Sequence, residues 1–423
     1  MMAFDRAAGL RISNWKSLQR SLVLCAAACF TLTGLVAPAL ASTHHPVRHS
    51  APHHPKVDHH AVIHRTPKHP HASQVSETRL VRGRHGRLVR VAVRHRFFER
   101  FTASSFGENL TLGDSTAGED PAVRAAAVEA LGNMNGTVVA IDPSTGRILA
   151  MVNQKLALSS GAEPCSTIKL SVALAALQEG LVKRDTPVDL GRGYHLTLTE
   201  ALAHSNNLYF ETIGRALGFE RVKHYANMLG LGELAGYNIP GEQLGTYPDQ
   251  ALPASMGGVG RMCSFGESVS MTPLQLGAIV SAIANGGTLY YLQHPTSEEE
   301  VSGFQPKVKR TLDIANLLPE MRDGMQGAVQ YGTARSLRSN FKEFPVLGKT
   351  GTCSNNGTRF GWFGSYADTP NGRIVTVVFL EGGRPTFGPK AAELTGEFYR
   401  ALYDSNYFAP HPDTPTTIAL GTH

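Results

Sequence analysis

Net positive charge is missing from the larger part of this chain. Residues 101–423 carry 24 Lys and Arg against 30 Asp and Glu, so the formal charge of +6 belongs to what precedes them. Residues 1–42 contribute +3 and residues 43–100 contribute +9. A mildly acidic body has no broad basic footprint for phosphate backbones, which excludes a nucleic-acid enzyme. Cysteine is scarce as well. Of five, Cys25 and Cys29 lie near the N-terminus, leaving Cys165, Cys263 and Cys353 beyond it. With 42% hydrophobic and 17% charged residues, the composition is that of an ordinary globular protein. Its 423 residues allow two or three average domains, or one large domain with appendages.

Four basic residues, Arg6, Arg11, Lys16 and Arg20, precede an uncharged stretch over 21–41 that closes on Ala39-Leu40-Ala41. A basic start, an apolar centre and a small-residue end describe a secretory signal. The stretch is also long enough, at about 20 residues, to span a bilayer uncut. Residues 1–42 are therefore expected to be a signal peptide or a membrane anchor. In both cases the positive-inside rule sends the rest out of the cytoplasm, periplasmic or otherwise extracytoplasmic, soluble or tethered to the inner membrane.

Residues 43–72 then hold ten of the eighteen histidines, interspersed with prolines and almost no core-forming residues. That composition predicts a flexible tether, and the irregular histidine spacing specifies no metal geometry. Across 79–100, eight arginines alternate loosely with Leu, Val and Phe, predicting an extended basic spacer. Residues 43–105 are thus read as a disordered tether and 106–405 as the folded domain, its core starting near residue 120. Residues 406–423 are read as a flexible tail.

Within the folded part, 122–131 reads as a helix and 137–152 as a hairpin turning at Ser144-Thr145-Gly146. Helical patterning follows over 166–181, 197–217 and 220–229. A further helix over 272–285 has Thr272 placed to cap it, Pro273 in its first turn and Gly286-Gly287 to end it. Three successive strands over 346–353, 360–366 and 374–380 precede a closing helix over 389–403. Strand hairpins flanked by runs of helix imply an α+β fold, an antiparallel sheet covered by helices on both faces plus a helical lobe.

Three short strings carry chemistry: Ser166-Thr167-Ile168-Lys169, Ser205-Asn206-Asn207 and Lys349-Thr350-Gly351-Thr352. Together they supply a nucleophile, amines to move protons, an amide to hold a peptide and hydroxyls to hold a carboxylate, with no histidine needed. Ser166 and Lys169 share one helical face about a turn apart. A serine hydroxyl needs a nearby base, and an ammonium serves only if its pKa falls from ~10.4 towards neutrality. Burial and a second cation both push it that way, and Lys349 is the candidate cation. Ser205 and Asn207 sit between two helical segments, where a loop can turn both into a cleft. Gly351 would let a substrate backbone approach the strand, with Thr350 and Thr352 offering hydroxyls beside it.

Residues 120–405 resemble the transpeptidase domain of class B penicillin-binding proteins. The likeness extends past the three motifs to the opening hairpin "MNGTVVAIDPSTGRILAMVN" and to "SNNLYFETIGRALGFERVKHYANMLGLGELAGYNIPGE". It also takes in "VSMTPLQLGAIVSAIANGG", Gly332-Thr333-Ala334 and "GWFGSYA". By that resemblance Ser166 is the acylated nucleophile, Lys169 its base and Ser205 a proton relay. Asn207, Lys349, Thr350, Gly351 and Thr352 bind substrate, and the N–H groups of Ser166 and Thr352 form the oxyanion hole. The implied activity is two-step D-Ala-D-Ala transpeptidation of peptidoglycan stem peptides, serving cell-wall synthesis and cell shape. The implied ligands include covalent β-lactams, other wall-synthesis proteins are expected partners, and no cofactor or metal is called for.

Two departures from the family stand out: no folded pedestal is evident before the domain, and the interval from Ser166 to Ser205 is short. No glycosyltransferase domain fits. The bridge beside the active site in certain carbapenem-hydrolysing β-lactamases suggests a disulfide between Cys165 and Cys353, leaving Cys263 free. A DD-carboxypeptidase, a β-lactamase using Glu163 or Glu242 as an extra base, and a non-catalytic β-lactam-binding sensor or scaffold remain as alternatives.

Overall fold

A computed structural model describes residues 101–409, together with the backbone of two strands before them, β1 (Ser76–Arg82) and β2 (Leu88–Arg94). The expected leader, the His-rich tract and the final tail from 410 lie outside the described residues. Where a spacer without structure was expected, β1 and β2 pair antiparallel, with Val81 opposite Val89. The reason is legible afterwards. Val holds the alternate positions 89, 91 and 93 of Leu88–Arg94, and Gly83 and Gly86 fall between the strands.

The segment Val138-Val139-Ala140-Ile141 is apolar at every position, as a strand buried on both faces requires. It lies in β3 (Gly136–Asp142), which turns back into β4 (Arg147–Val152). Two small ribbons follow, β5 (Val188–Asp189) with β6 (His195–Leu196) and β7 (Thr288–Tyr290) with β8 (Val308–Thr311). The chain then returns to the main sheet through β9 (Val346–Asn355), β10 (Thr358–Thr369) and β11 (Gly372–Gly382). The order across this sheet is β4-β3-β11-β10-β9, antiparallel throughout, so β9 forms one edge.

Side chains alternate between the two faces. Val138, Phe363 and Val378 join a core with α1 (Pro121–Leu131) and α11 (Gly388–Asp404), the helices covering one side. Val139, Ile141, Trp362, Val377 and Phe379 join a larger core on the other side. That side holds the short α2 (Gln154–Ala157), then α3 (Lys169–Gln178), α4 (Leu198–Ala203), α5 (Asn207–Leu217), α6 (Phe219–Met228) and α7 (Gly258–Phe265). After α8 (Pro273–Asn285) come α9 (Glu298–Ser302) and α10 (Leu318–Gln330). The α+β arrangement read from the sequence is the arrangement found.

Helix α8 is apolar nearly all round because it is buried between the sheet and the helices beyond it. Its start is the capping box anticipated at Thr272. The Thr272 hydroxyl accepts from the Gln275 N–H at 3.1 Å, and the Gln275 side chain accepts from the Thr272 N–H at 3.0 Å. Close approach to the sheet depends on Gly277, where an added Cβ would lie 2.5 Å from Ile141. Among the described residues no helix is long and apolar enough to cross a membrane.

Candidate active site

Ser166 does not open an α-helix directly. Cys165–Ile168 form a 3₁₀ turn that runs into α3, so Ser166 and Lys169, three apart, lie almost eclipsed. Their Oγ and Nζ atoms are 3.1 Å apart. At the first position of the turn Cys165 takes a left-handed backbone, φ 52°, which costs a non-glycine residue energy and persists only where surroundings enforce it. Three contacts do so. A disulfide joins Cys165 to Cys353 on β9, with Cα atoms 5.5 Å apart. The Trp362 indole donates to the Glu163 carbonyl at 3.0 Å, and the Thr167 hydroxyl donates to the Pro164 carbonyl at 2.6 Å. Cys263 is free and buried.

The turn rests directly on the edge strand. A Cβ at Gly351 would lie 2.8 Å from the Pro164 carbonyl and 3.2 Å from the Thr167 methyl. The space expected there for a substrate backbone is filled by the nucleophile's own turn. The missing side chain serves packing of motif one against motif three.

Ser205 breaks the helical patterning of 197–217 where a loop between two helical segments is expected. His204 ends α4, Ser205 is left-handed at φ 55°, and Asn206 caps α5 by accepting from the Tyr209 N–H at 2.9 Å. The break turns Ser205 and Asn207 towards Lys169. Lys169 Nζ lies 2.8 Å from the Ser205 carbonyl, 3.1 Å from Ser205 Oγ and 2.7 Å from Asn207 Oδ1. From β9, Lys349 donates to Ser205 Oγ at 2.8 Å and to the Thr350 carbonyl at 3.0 Å. Ser205 Oγ thus stands between two amines.

Alternation along β9 sends Lys349, Gly351 and Cys353 towards the helices and Thr350 and Thr352 to the opposite face. Thr350 is buried with its hydroxyl 2.6 Å from that of Thr333. Thr352 is half-buried and its hydroxyl accepts from the Gly388 N–H at 2.8 Å, leaving its own proton to donate.

Both lysines are fully buried. Burial holds Lys169 well below the usual ammonium range, Lys349 pushes it further down, and Glu211 opposes. Burial lowers Lys349 to about 7. The neighbours of Lys169 fit an uncharged amine. The Ser205 carbonyl and Asn207 Oδ1 accept but cannot donate, so they use its two N–H groups and leave the lone pair to a hydroxyl.

Ser166, Lys169, Ser205, Asn207 and Lys349 therefore meet in one place, with Thr352 on the strand beside them. Glu242 does not. Its carboxylate accepts from the Ala235 and Gly236 N–H groups and is committed to that loop. The Glu163 carboxyl is raised by burial and by Glu267, against Arg261. Sequence reasoning assigned no role to Thr333 or Glu211. Gly332-Thr333-Ala334 was noticed only as a string, and Glu211 reads as a surface charge paired with Arg215 one turn on.

Residues 136–403 match the penicillin binding protein transpeptidase domain family. Stage V sporulation protein D of Bacillus subtilis is 28% identical over 315 residues, which are 62% of this chain and 48% of that protein. PbpB of Mycolicibacterium smegmatis, a penicillin-binding protein, is 26% identical over 69% of this chain and 54% of its own length. The chain spans about half the length of these relatives. The apo transpeptidase domain of Burkholderia pseudomallei penicillin-binding protein 3 superposes with a TM-score of 0.58 at 22% identity. It covers 71% of this chain and 98% of that one, a likeness of fold.

Proposed function

The chain belongs to the penicillin-binding protein transpeptidase domain family, and from that premise we propose that it is an exported peptidoglycan D,D-transpeptidase acting through an acyl-enzyme on Ser166. The carrying observation is the buried Lys169 amine, whose two acceptor-only neighbours leave its lone pair to the hydroxyls of Ser166 and Ser205, each at 3.1 Å. The name of one relative, the peptidoglycan D,D-transpeptidase FtsI of Escherichia coli, supports the same substrate class.

In the first half-reaction the Ser166 proton passes to Lys169 Nζ as Oγ bonds to the carbonyl carbon of a D-Ala-D-Ala peptide. The oxyanion is held by the backbone N–H groups of Ser166 and Thr352, each donor contributing about 3 kcal/mol. As the peptide C–N bond breaks, the leaving nitrogen takes a proton through Ser205 Oγ, which the two amines resupply. Thr352, backed by the Thr350–Thr333 pair, and Lys349 attract the terminal carboxylate. Asn207 holds the peptide amide. D-Alanine departs. An amine of a neighbouring stem peptide then attacks the ester and gives its proton to Lys169, which passes it to Ser166 Oγ as the Oγ–C bond breaks, restoring the free serine. A β-lactam enters by the first half and stays.

The exported reading rests on the N-terminal sequence, with residues 1–42 as leader or anchor and 43–105 as a tether carrying the β1–β2 hairpin. The test is fluorescent penicillin on the full chain. Label on the wild type that persists for hours and vanishes in Ser166→Ala is expected. Label that turns over within seconds would make the protein a β-lactamase, and label retained by Ser166→Ala would refute the assignment.

A further inference from the structure

One carboxylate beside the cluster has no role in the mechanism above. Helix α5 places Asn207 and Glu211 four residues apart, on one face. Asn207 Oδ1 touches Lys169 Nζ, and Glu211 follows a turn further on. Helix α7 closes over it. A Cβ at Gly260 would lie 2.7 Å from the Arg215 guanidinium and 3.4 Å from the Glu211 Cβ, so α7 passes close against both side chains. The hydroxyl of Ser264, fully buried on α7, lies 3.5 Å from Glu211 Oε1, and the Ser264 carbonyl lies 3.5 Å from Ser166 Oγ. Arg215 Nη1 approaches the other oxygen at 3.3 Å.

We propose that Glu211 is a positioning residue for protons: it keeps one proton within the Lys169–Ser205–Lys349 cluster. The proposal rests on the acyl-transfer reading. That chemistry needs Lys169 uncharged at attack, yet needs a proton at hand for the leaving nitrogen. Two buried amines without a counter-charge would shed both protons, and the second requirement would fail. Glu211 from α5 and Lys349 from β9 are the charges that act on Lys169 among the described residues. On α7, Arg261 is held by Glu267 at 2.7 Å and lies over Phe265. His204, at the end of α4, stacks near Tyr331. Glu211 therefore stands alone as counter-charge, and Arg215 tempers it.

The acylation rate of the full chain by fluorescent penicillin, followed across pH, reads this directly. The acid limb reports the amine that must be neutral, and the alkaline limb reports the proton that must be present. Removing the negative charge lowers the proton affinity of the cluster. In Glu211→Gln both limbs should move to lower pH by about one unit, which makes the variant about tenfold faster than wild type on the acid limb. It should be about tenfold slower on the alkaline limb. Arg215→Gln should move both limbs the other way. Limbs that stay in place, with the rate unchanged or scaled uniformly, would reduce Glu211 to a packing residue and overturn the proposal. Should Glu211→Gln not fold, Arg215→Gln decides alone, a shift to higher pH supporting the proposal and fixed limbs rejecting it. A wild-type chain that takes no label would overturn the acyl-transfer reading itself, a failure distinct from a profile that does not move.

Discussion

The sheet carries a core on each face, and the two bury different things. Around α1 and α11 the buried polar groups find partners locally: Arg124 of α1 meets Asp114 at 2.6 Å and Glu119 at 3.2 Å, and hydroxyls pair with one another. Thr376 and Tyr399 meet at 2.9 Å, and the Tyr399 hydroxyl also donates to the Ile374 carbonyl at 3.1 Å. On the other face, at the β9 edge, two lysines are enclosed with a serine between them. An apolar residue in either place would fold more easily, because a buried amine gives up its charge or its hydration. Away from Thr350 and Thr352 at its β9 edge, the first face is built for stability. The second spends stability to hold an amine uncharged, and strained backbones at Cys165 and Ser205 sit at the same place.

The sharpest way to break this contrast is to exchange what each face loses. Lys169→Met keeps the chain length and removes the base, and penicillin acylation should fall about 10²–10⁴-fold, the worth of a positioned general base. Folding should survive, as a cooperative melt would show. Acylation within a few-fold of wild type would mean that another group takes the Ser166 proton. On the opposite face, Phe398 is fully buried on α11, ten residues beyond Gly388 and so about 15 Å along the helix from its contact with Thr352. Phe398→Ala should cost about 3–5 kcal/mol in denaturant unfolding and leave acylation unchanged under folding conditions. A matching loss of acylation would show that the two cores are not separable.

Legibility in the sequence divides along the same line. The sheet and its helices were readable because apolar runs, the Thr272 cap and the glycine pairs are local signals. The cluster was readable because its three strings differ in residue type from anything a strand or cap requires. What escaped was tertiary. Nothing local says that Cys165 and Ser205 take left-handed backbones, since neither is Gly or Asn. The space at Gly351 went to the Pro164–Thr167 turn because the two motifs pack on each other, which spacing along the chain does not reveal. Glu211 and Arg215 read as a solvated i,i+4 pair until α7 is laid across them. The β1–β2 hairpin escaped because arginines recurring every few residues look like a charge run before the alternate valines look like a strand.

The most specific effect concerns Lys349. Its folded pKa of about 7 lies below the ~10.4 of an unfolded lysine, so between those values the unfolded chain holds a proton that the folded chain lacks. Stability from this group therefore rises with pH, by about 1.4 kcal/mol per unit across that window, and is at its poorest below neutrality where the buried amine must carry charge. Lys349→Met removes the group from both states. The difference in unfolding free energy between wild type and variant, taken by denaturant titration at several values from neutral upward, should shift in favour of wild type as pH climbs. Lys169, released from Lys349 in the variant, keeps its proton to higher pH there and adds to the same trend, while the other titratable groups are common to both chains and largely cancel. A difference that stays flat with pH would mean that Lys349 keeps its proton when folded. The cluster would then hold a fixed cation beside Ser205, and the proton supplied to the leaving nitrogen would have to come from Lys169 alone.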